Sequence, residues 1–566
     1  MTQTDALPGT EPPTAWRAVA LAVLLCVVSA AFQTLTLSRH LNNIYDEGLI
    51  LLGAQRVLDG EVPYRDFWGM YGPGQFYAVA GLFKLTASTV LIEQLWDVAI
   101  RAGLTTAVYF WARKVGAGVY AWAAWLVAVV ALSGFGGHGF PVFHAVLFGL
   151  LSGWLVLGAI QAPRPTARLC AAGACAGVAA LFRHDMGFYV VLADALFLAW
   201  AVSNEDRPDR LARLLRMLLA LGAALIVGPV AAWLLSRMPA SDIWFNLFVV
   251  PATIYPKVRA LPFPELPDPA AILPGATPVQ VEAFNNALVV YFPLLVVPVA
   301  LIYVAWTSRS ALTATTEQRV QRLGILLLAL LALLLSVKGS VRISAIHAIH
   351  AAIPAAVLCF ALLARVGRIA PLARAGAFVL GAIVAVALLA KPARIVGATI
   401  KDNVSTLRAL RADMGLRLGI PHLCTPQPGL ERARCFLPRP DDAAITRLIQ
   451  SRTQPGEPVY VGPSRHDRIF INNLLLQYLM ARPPATKWHE SHPGIQTTAP
   501  IQTQMIEEFK ARNVRTLVLS AEWENVREAN DSAVSSGVTL LDDYIKANFE
   551  ETETFGAVSI WRRRGS

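Results

Sequence analysis

Runs of about twenty apolar residues, each long enough to cross a ~30 Å hydrocarbon core as a helix, recur through the first two thirds of this chain. Nothing else in the sequence limits the fold as much. Backbone polar groups find no partner in lipid, so only helices and closed barrels satisfy them internally. Spans are readable at 16–37, 90–112, 117–133, 143–161, 168–182, 187–203, 215–235, 286–306, 323–337, 350–366 and 373–390, which makes about eleven by the length rule. Composition agrees: 55% of the 566 residues are hydrophobic and 15% charged, against about 25% charged in soluble domains. The chain reads as an α-helical polytopic membrane protein. The run from Trp16 to Leu37 could be a signal peptide with Val28-Ser29-Ala30 as its cleavage site. It is long for such a segment and only Arg17 stands at its head, so a retained anchor is expected.

The formal charge of +11 does not point to nucleic acid, because the cations sit in short loops between apolar runs. One alternate set of loops holds Arg113, Lys114, Arg164, Arg168, Arg210, Arg213, Arg216, Arg319, Arg322, Arg365 and Arg374. The opposite set is poorer in cations and contains the stretch around Asp46, a glycine-rich turn at 134–144, Arg183 to Tyr189, a proline-rich loop at 236–285, and Lys338 to His350. The positive-inside rule puts that second set outside the cytoplasm. An odd number of spans sends the C-terminus out as well.

After about Lys391 the composition changes, so residues 1–391 read as the membrane domain and 392–566 as a soluble α/β domain. Strands are expected at 458–461, 516–519 and 557–561, and helices near 441–451, 468–481, 502–512 and 537–548. Cys26, Cys170, Cys175 and Cys359 lie in apolar runs and behave there as small hydrophobes. Cys424 and Cys435 lie in the polar region, and a disulfide is open to them if that region faces out of the cytoplasm.

The densest polar chemistry follows the first span. Tyr45-Asp46-Glu47-Gly48 leads through Pro63-Tyr64-Arg65-Asp66 to Tyr71-Gly72-Pro73-Gly74. Residues 46–60 read as an amphipathic helix lying in the membrane surface, with Arg56 and Asp59 away from the apolar side, and 74–85 as a second short interfacial or re-entrant helix. A purely structural reading of Asp46 and Glu47 exists, since helix N-termini favour acids. Two further outward clusters are Arg183-His184-Asp185 and Lys338, Arg342, His347 and His350. For these the bland reading is headgroup contact.

Acids and cations on one membrane face suit sugar transfer from a lipid phosphate. The phosphate leaving group needs neutralising charge rather than a proton, while the acceptor hydroxyl needs one carboxylate as base. Two motifs fail their context tests. The glycine pattern at 134–139 follows no strand, and His489-Glu490-Ser491-His492 spaces its histidines three apart where a zinc-protease helix needs four.

With these residues in view, the chain resembles the GT-C superfamily of integral-membrane glycosyltransferases. It is most similar to the bacterial members grouped with protein mannosyltransferases and the aminoarabinose transferase of lipid A. The similarity covers the layout of nearly the whole chain and is motif-specific over about 45–77. The resemblance implies an inverting transferase that takes sugar from a polyprenyl-phosphate carrier to an envelope glycan, lipid or protein. It would work at the outer face of a bacterial inner membrane, with the soluble domain in the periplasm.

It further implies Asp46 as catalytic base, with Glu47 as neighbour or substitute. Lys338 and Arg342 would hold the donor phosphate, joined less securely by Arg183, His347 and His350. Tyr64, Arg65, Asp66, Tyr71, Asp185 and His489 are the remaining substrate-binding candidates. Trp488, Glu490 and His492 share the His489 segment, which is expected to be a surface loop. No metal is expected to be required, since no second acidic motif forms a cage, although some members of the superfamily use a divalent ion. A polysaccharide ligase or polymerase is the alternative enzyme class. A lipid-linked sugar transporter is disfavoured because the apolar runs are nearly free of internal charge.

Overall fold

Each expected span falls on a helix. The structure, a computed structural model, describes residues 15–136, 139–204, 208–226, 230, 231, 234, 240–273, 275–308, 315–366, 371–414, 424 and 427–565. Residues 1–14, Gly137 and His138 of the glycine-rich turn, and the far half of the span expected at 215–235 lie almost wholly outside the described residues. The first part of the chain comprises α1 (Ala15–Leu35), α2 (Asp46–Leu58), α3 (Gly74–Leu85), α4 (Val90–Lys114), α5 (Tyr120–Ser133), α6 (Pro141–Ile160), α7 (Thr166–Phe182), α8 (His184–Ser203) and α9 (Arg210–Leu225). Short helical turns between Ala240 and Val258 lead to α10 (Pro278–Ser308), α11 (Thr316–Lys338), α12 (Ala345–Val366) and α13 (Pro371–Met414).

Among the described residues, seven helices are long and apolar enough to cross a membrane: α1, α6, α8, α10, α11, α12 and Leu372–Thr406 within α13. The other four of the expected set fall short for visible reasons. α5 and α7 are apolar but only 14 and 17 residues long. α4 has 25 residues but carries Glu93, Asp97 and Arg101, and α9 carries Arg210, Arg213 and Arg216 on its first turns.

The core of the bundle is built mainly from α4 to α8 and α10 to α12, while α1 and α13 leave broad apolar faces exposed, as at Leu24 and Phe378. The bundle holds more internal charge than the sequence suggests. Asp97 and Arg101 pair at 2.7 Å inside it, and Asp194 of α8 accepts a bond of 2.6 Å from the Ser152 hydroxyl of α6. The first pair lies within α4, while the second joins neighbouring helices, as polar side chains do in lipid. The change of composition near residue 391 lies inside α13, which runs on unbroken to Met414.

The C-terminal part contains α14 (Pro440–Arg452), β1 (Val459–Pro463), α15 (Leu474–Leu479), α16 (Ala499–Ala511), β2 (Thr516–Ser520), α17 (Leu540–Asn548), β3 (Phe549–Phe555) and β4 (Val558–Arg563). The sheet order is β1-β2-β4-β3, with β1 and β2 parallel and the other two pairs antiparallel. All three expected strands form. β3 was not anticipated because Phe549-Glu550-Glu551-Thr552-Glu553-Thr554-Phe555 is mostly polar. It is one of the two edge strands, where charged side chains guard against pairing with other chains. Cys424 and Cys435 are joined as a disulfide.

The surface helices differ most from expectation. α2 does not lie wet on one side; every residue from Glu47 to Arg56 is buried. α3 and α4 pack on one flank and α15 of the C-terminal domain on the other. The Leu475 amide donates to the Ile44 carbonyl at 2.9 Å. At that crossing a Cβ on Gly48 would stand 2.2 Å from the Leu475 nitrogen, so only glycine lets the two backbones meet. Gly48→Ala is therefore expected to destabilise the protein by about 1–3 kcal/mol, the scale of overpacking in a close-packed core, and to lower the thermal midpoint in detergent.

Candidate active site

A cavity of about 380 Å³ opens where several segments converge, Phe140 at the head of α6 among them. Tyr45, Asp46, Met70 and Tyr71 come from the stretch after α1, and Arg183, His184 and Asp185 from the α7–α8 junction. Tyr255 and Arg259 come from the turns before α10, Lys338 to His347 from the α11–α12 turn, and Phe470, Ile471 and His492 from the C-terminal domain. A larger cavity of about 870 Å³ lies among Arg213, Arg216 and Arg319, in the loops assigned to the opposite face. Among its described lining residues there is no histidine, and its one acid, Asp209, is exposed.

Asp46 opens α2, and its amide is capped by the Asn43 side chain at 3.1 Å. It is partly open to the cavity, yet the cavity is sunk in the protein. Burial therefore raises its pKa above the usual carboxylate range, and the charges of Arg259 and Arg342 oppose that rise. The cations around it are held by defined partners. Arg183 grips Asp185 through two bonds of 3.0 and 2.6 Å and lies over the Tyr71 ring at 5.0 Å. Lys338 stands 3.9 Å from the same Asp185. Arg259 meets His492 at 3.1 Å, and its carbonyl accepts from Arg342 at 3.1 Å. His347 is oriented by Ser344 at 2.8 Å.

The structure brings together Asp46, Tyr71, Arg183, Asp185, Lys338, Arg342 and His347 from the expected set. The others lie elsewhere. Glu47 is one residue from Asp46 but about 100° round the helix. It turns into the protein, where Gln94 donates to it at 2.6 Å, and burial raises its pKa. His350 is enclosed and bonds the Leu335 carbonyl at 3.0 Å. Tyr64 is buried beneath the cavity wall, its hydroxyl donating to the Tyr71 carbonyl at 2.5 Å. Arg65 and Asp66 pair with each other near the surface.

The segment after Trp488 is no surface loop. His489, Glu490, Ser491 and His492 are all buried, and it is His492, not His489, that lines the cavity. His489 instead meets Arg56 at 3.0 Å. Arg56, expected on a wet face, also bonds Glu61 at 2.5 Å, the Thr486 carbonyl at 3.1 Å and the Asp66 carbonyl at 3.0 Å. Sequence reasoning missed Tyr255 and Arg259. The available signal was Tyr255-Pro256-Lys257-Val258-Arg259, a basic and aromatic patch in an outward loop otherwise poor in cations.

The sequence matches no family model and no curated protein. Solved structures do match. The apo oligosaccharyltransferase of Archaeoglobus fulgidus aligns at a TM-score of 0.53 and 12% identity, over 90% of this chain and 70% of that one. The chain shares the fold of that oligosaccharyltransferase. The A. fulgidus oligosaccharyltransferase AglB in complex with an inhibitory peptide and a dolichol-phosphate aligns over the same shares at 0.52 and 12% identity. The apo state of ArnT from Cupriavidus metallidurans covers 97% of this chain and 98% of its own, at 0.49 and 13% identity.

Arg56 ties the stretch after α1 to the C-terminal domain through His489 and the Thr486 carbonyl, so its loss should be felt in stability. Arg56→Ala breaks a buried ion pair and is expected to cost about 3–5 kcal/mol, read as a fall in the unfolding midpoint. Arg65→Ala, at an exposed pair, should leave that midpoint unchanged.

Proposed function

We propose that this protein is an inverting glycosyltransferase that moves a sugar from a polyprenyl-phosphate carrier to a cell-envelope acceptor. The observation that carries the reading is a single cavity in which the carboxylate of Asp46 shares the lining with Arg183, Arg259, Lys338 and Arg342, the second carboxylate there, Asp185, being paired with Arg183. In this reading the acceptor hydroxyl attacks the anomeric carbon and gives its proton to Asp46. The bond from that carbon to the carrier oxygen breaks with inversion, through an oxocarbenium-like transition state. The departing phosphate is stabilised by the cations rather than protonated. Likeness of fold to AglB, which was solved with a dolichol-phosphate, supports a polyprenyl phosphate as the carrier.

Three assignments belong to the same reading. The cavity and the domain of residues 392–566 face the periplasm of a bacterial inner membrane, following the cation-rich loops on the other side. Arg183, Arg259, Lys338 and Arg342 supply the positive charge, so no metal is required and EDTA leaves turnover unchanged. His492 and the buried segment around it form the wall against which the acceptor lies.

The test compares envelope glycans of a deletion strain carrying wild type or Asp46→Asn at equal membrane expression. Wild type should restore a missing sugar, while Asp46→Asn should lower turnover by about 10²–10⁴, the usual worth of a general base. Full restoration by Asp46→Asn would reduce Asp46 to a helix-terminal acid and sink the reading. pH offers a second check. The base must be ionised to act and burial raises its pKa, so activity should climb with pH along a limb displaced above the usual aspartate value of about 3.9. Purified enzyme assayed from acid to neutral pH would show that limb, and Arg259→Ala should move it further up by removing a favourable charge.

A further inference from the structure

Arg342 is occupied by a carboxylate from another domain. Its two terminal nitrogens donate to the two oxygens of Glu528 at 2.9 and 2.5 Å, a two-pronged pair reaching 186 residues along the chain. Both side chains are largely shielded, with 22% of Arg342 and 14% of Glu528 exposed. The contact is oriented on either side. The Asn530 amide donates to Glu528 at 3.0 Å and to the Ala260 carbonyl at 2.9 Å, while Arg342 also donates to the Arg259 carbonyl at 3.1 Å. Residues 259–261 in turn run alongside Val341 and Arg342, joined by the Leu261 amide to the Val341 carbonyl at 3.3 Å. Glu528 thus reaches the rim of the cavity, where Arg342 is part of the lining.

The planar guanidinium fork takes two oxygens of a carboxylate or two of a phosphate in the same way. One fork cannot hold both. Burial works against ionisation of Glu528, but the hydrogen bonds and charge of Arg342 and the Asn530 bond outweigh it and hold its pKa below the usual range. Glu528 is a full anion at neutral pH, which is what a phosphate would have to replace.

We propose that Glu528 is a specificity-determining residue that fills the Arg342 fork while the cavity is empty and must be displaced by the donor phosphate. This rests on the reading above that the cavity takes a lipid-linked phosphate. It makes occupancy of Arg342 conditional on an anion that competes better than a carboxylate, and so rejects neutral lipids and lipids carrying weaker anionic groups. It also couples donor binding to the C-terminal domain, because displacing Glu528 removes one of the ties between its segment and the membrane bundle and leaves the Asn530 bond to the Ala260 carbonyl.

The experiment titrates undecaprenyl phosphate, with neutral undecaprenol as control, into the full-length protein in nanodiscs, following intrinsic tryptophan fluorescence. Wild type, Glu528→Gln, Glu528→Ala, Arg342→Ala and the Glu528→Gln/Arg342→Ala double variant are compared, with unliganded thermal midpoints to confirm folding. Removing the competitor should tighten binding of the phosphate by about tenfold in both Glu528 variants, the scale of one charge-assisted hydrogen bond. The gain should vanish in the double variant, and undecaprenol should show none. Unchanged or weaker binding in both Glu528 variants would make Glu528 a brace for Arg342 and overturn the proposal while the phosphate reading stood. Absence of binding to wild type and both variants would overturn the phosphate reading together with it.

Discussion

The crossing of α2 over the backbone of residues 474 and 475 is the constraint on which the rest of the site depends. α2 begins with the candidate base, and its first turn is pressed so closely against the C-terminal domain that only Gly48 fits. The same junction is tied further back, where the Leu41 amide donates to the Leu437 carbonyl at 3.0 Å and the Leu437 amide to the Arg39 carbonyl at 2.7 Å. Asn403, near the end of α13, closes the tie by donating to the Leu37 carbonyl at 2.7 Å. The loop carrying Asp46 is thus fixed from above by backbone bonds and from below by the apolar packing of α3 and α4. A carboxylate that must keep its direction in a sunken cavity needs such a frame, because a shift of 1 Å in a reacting group is costly.

The electrostatics follow from that frame. A lone buried carboxylate would simply take up a proton. Here Arg259 and Arg342 oppose the effect of burial on Asp46, and they arrive on separate segments joined edge to edge at Leu261 and Val341. Asp185, with Arg183 and Lys338 beside it, forms a second acid–base group in the same cavity. The cavity is therefore lined by two acids, Asp46 and the Arg183-paired Asp185, and by Arg183, Arg259, Lys338 and Arg342. That distribution favours an anionic ligand in the middle and leaves Asp46 free to accept a proton.

The helical layout was legible in the sequence because it follows from a long-range regularity, the length of the apolar runs, whereas the shift of composition near residue 391 marks no break in the helix Pro371–Met414. Asp46, Arg183, Lys338 and Arg342 were legible for a related reason, since charges at the ends of apolar runs on one face must lie near one another. What could not be read was orientation within an element. Asp46 and Glu47 are neighbours in sequence, but the helix turns one toward the cavity and the other toward Gln94. His347 and His350 share a helical face by spacing, yet a single turn suffices to carry His350 from the cavity to the Leu335 carbonyl. Arg259 and Glu528 were out of reach because their meaning comes from contacts between distant loops, which no local pattern announces.

The buried segment from Trp488 to His492 shows why the two parts of the chain act as one unit. Read alone it is polar enough to be a surface loop. In the fold the Trp68 amide donates to the Lys487 carbonyl at 3.0 Å, Trp68 and His492 lie 5.6 Å apart between ring centres, and Tyr255 and His492 lie 5.0 Å apart. His492 is therefore shielded by aromatic residues of the membrane part, and Glu490 and His489 find partners across the same junction, Glu490 at the Met70 backbone and His489 at Arg56. Buried polar groups cost free energy unless partners of this kind satisfy them. A segment of this kind is stable only where the two parts meet, so the wall of the cavity is a product of their docking and belongs to neither part by itself.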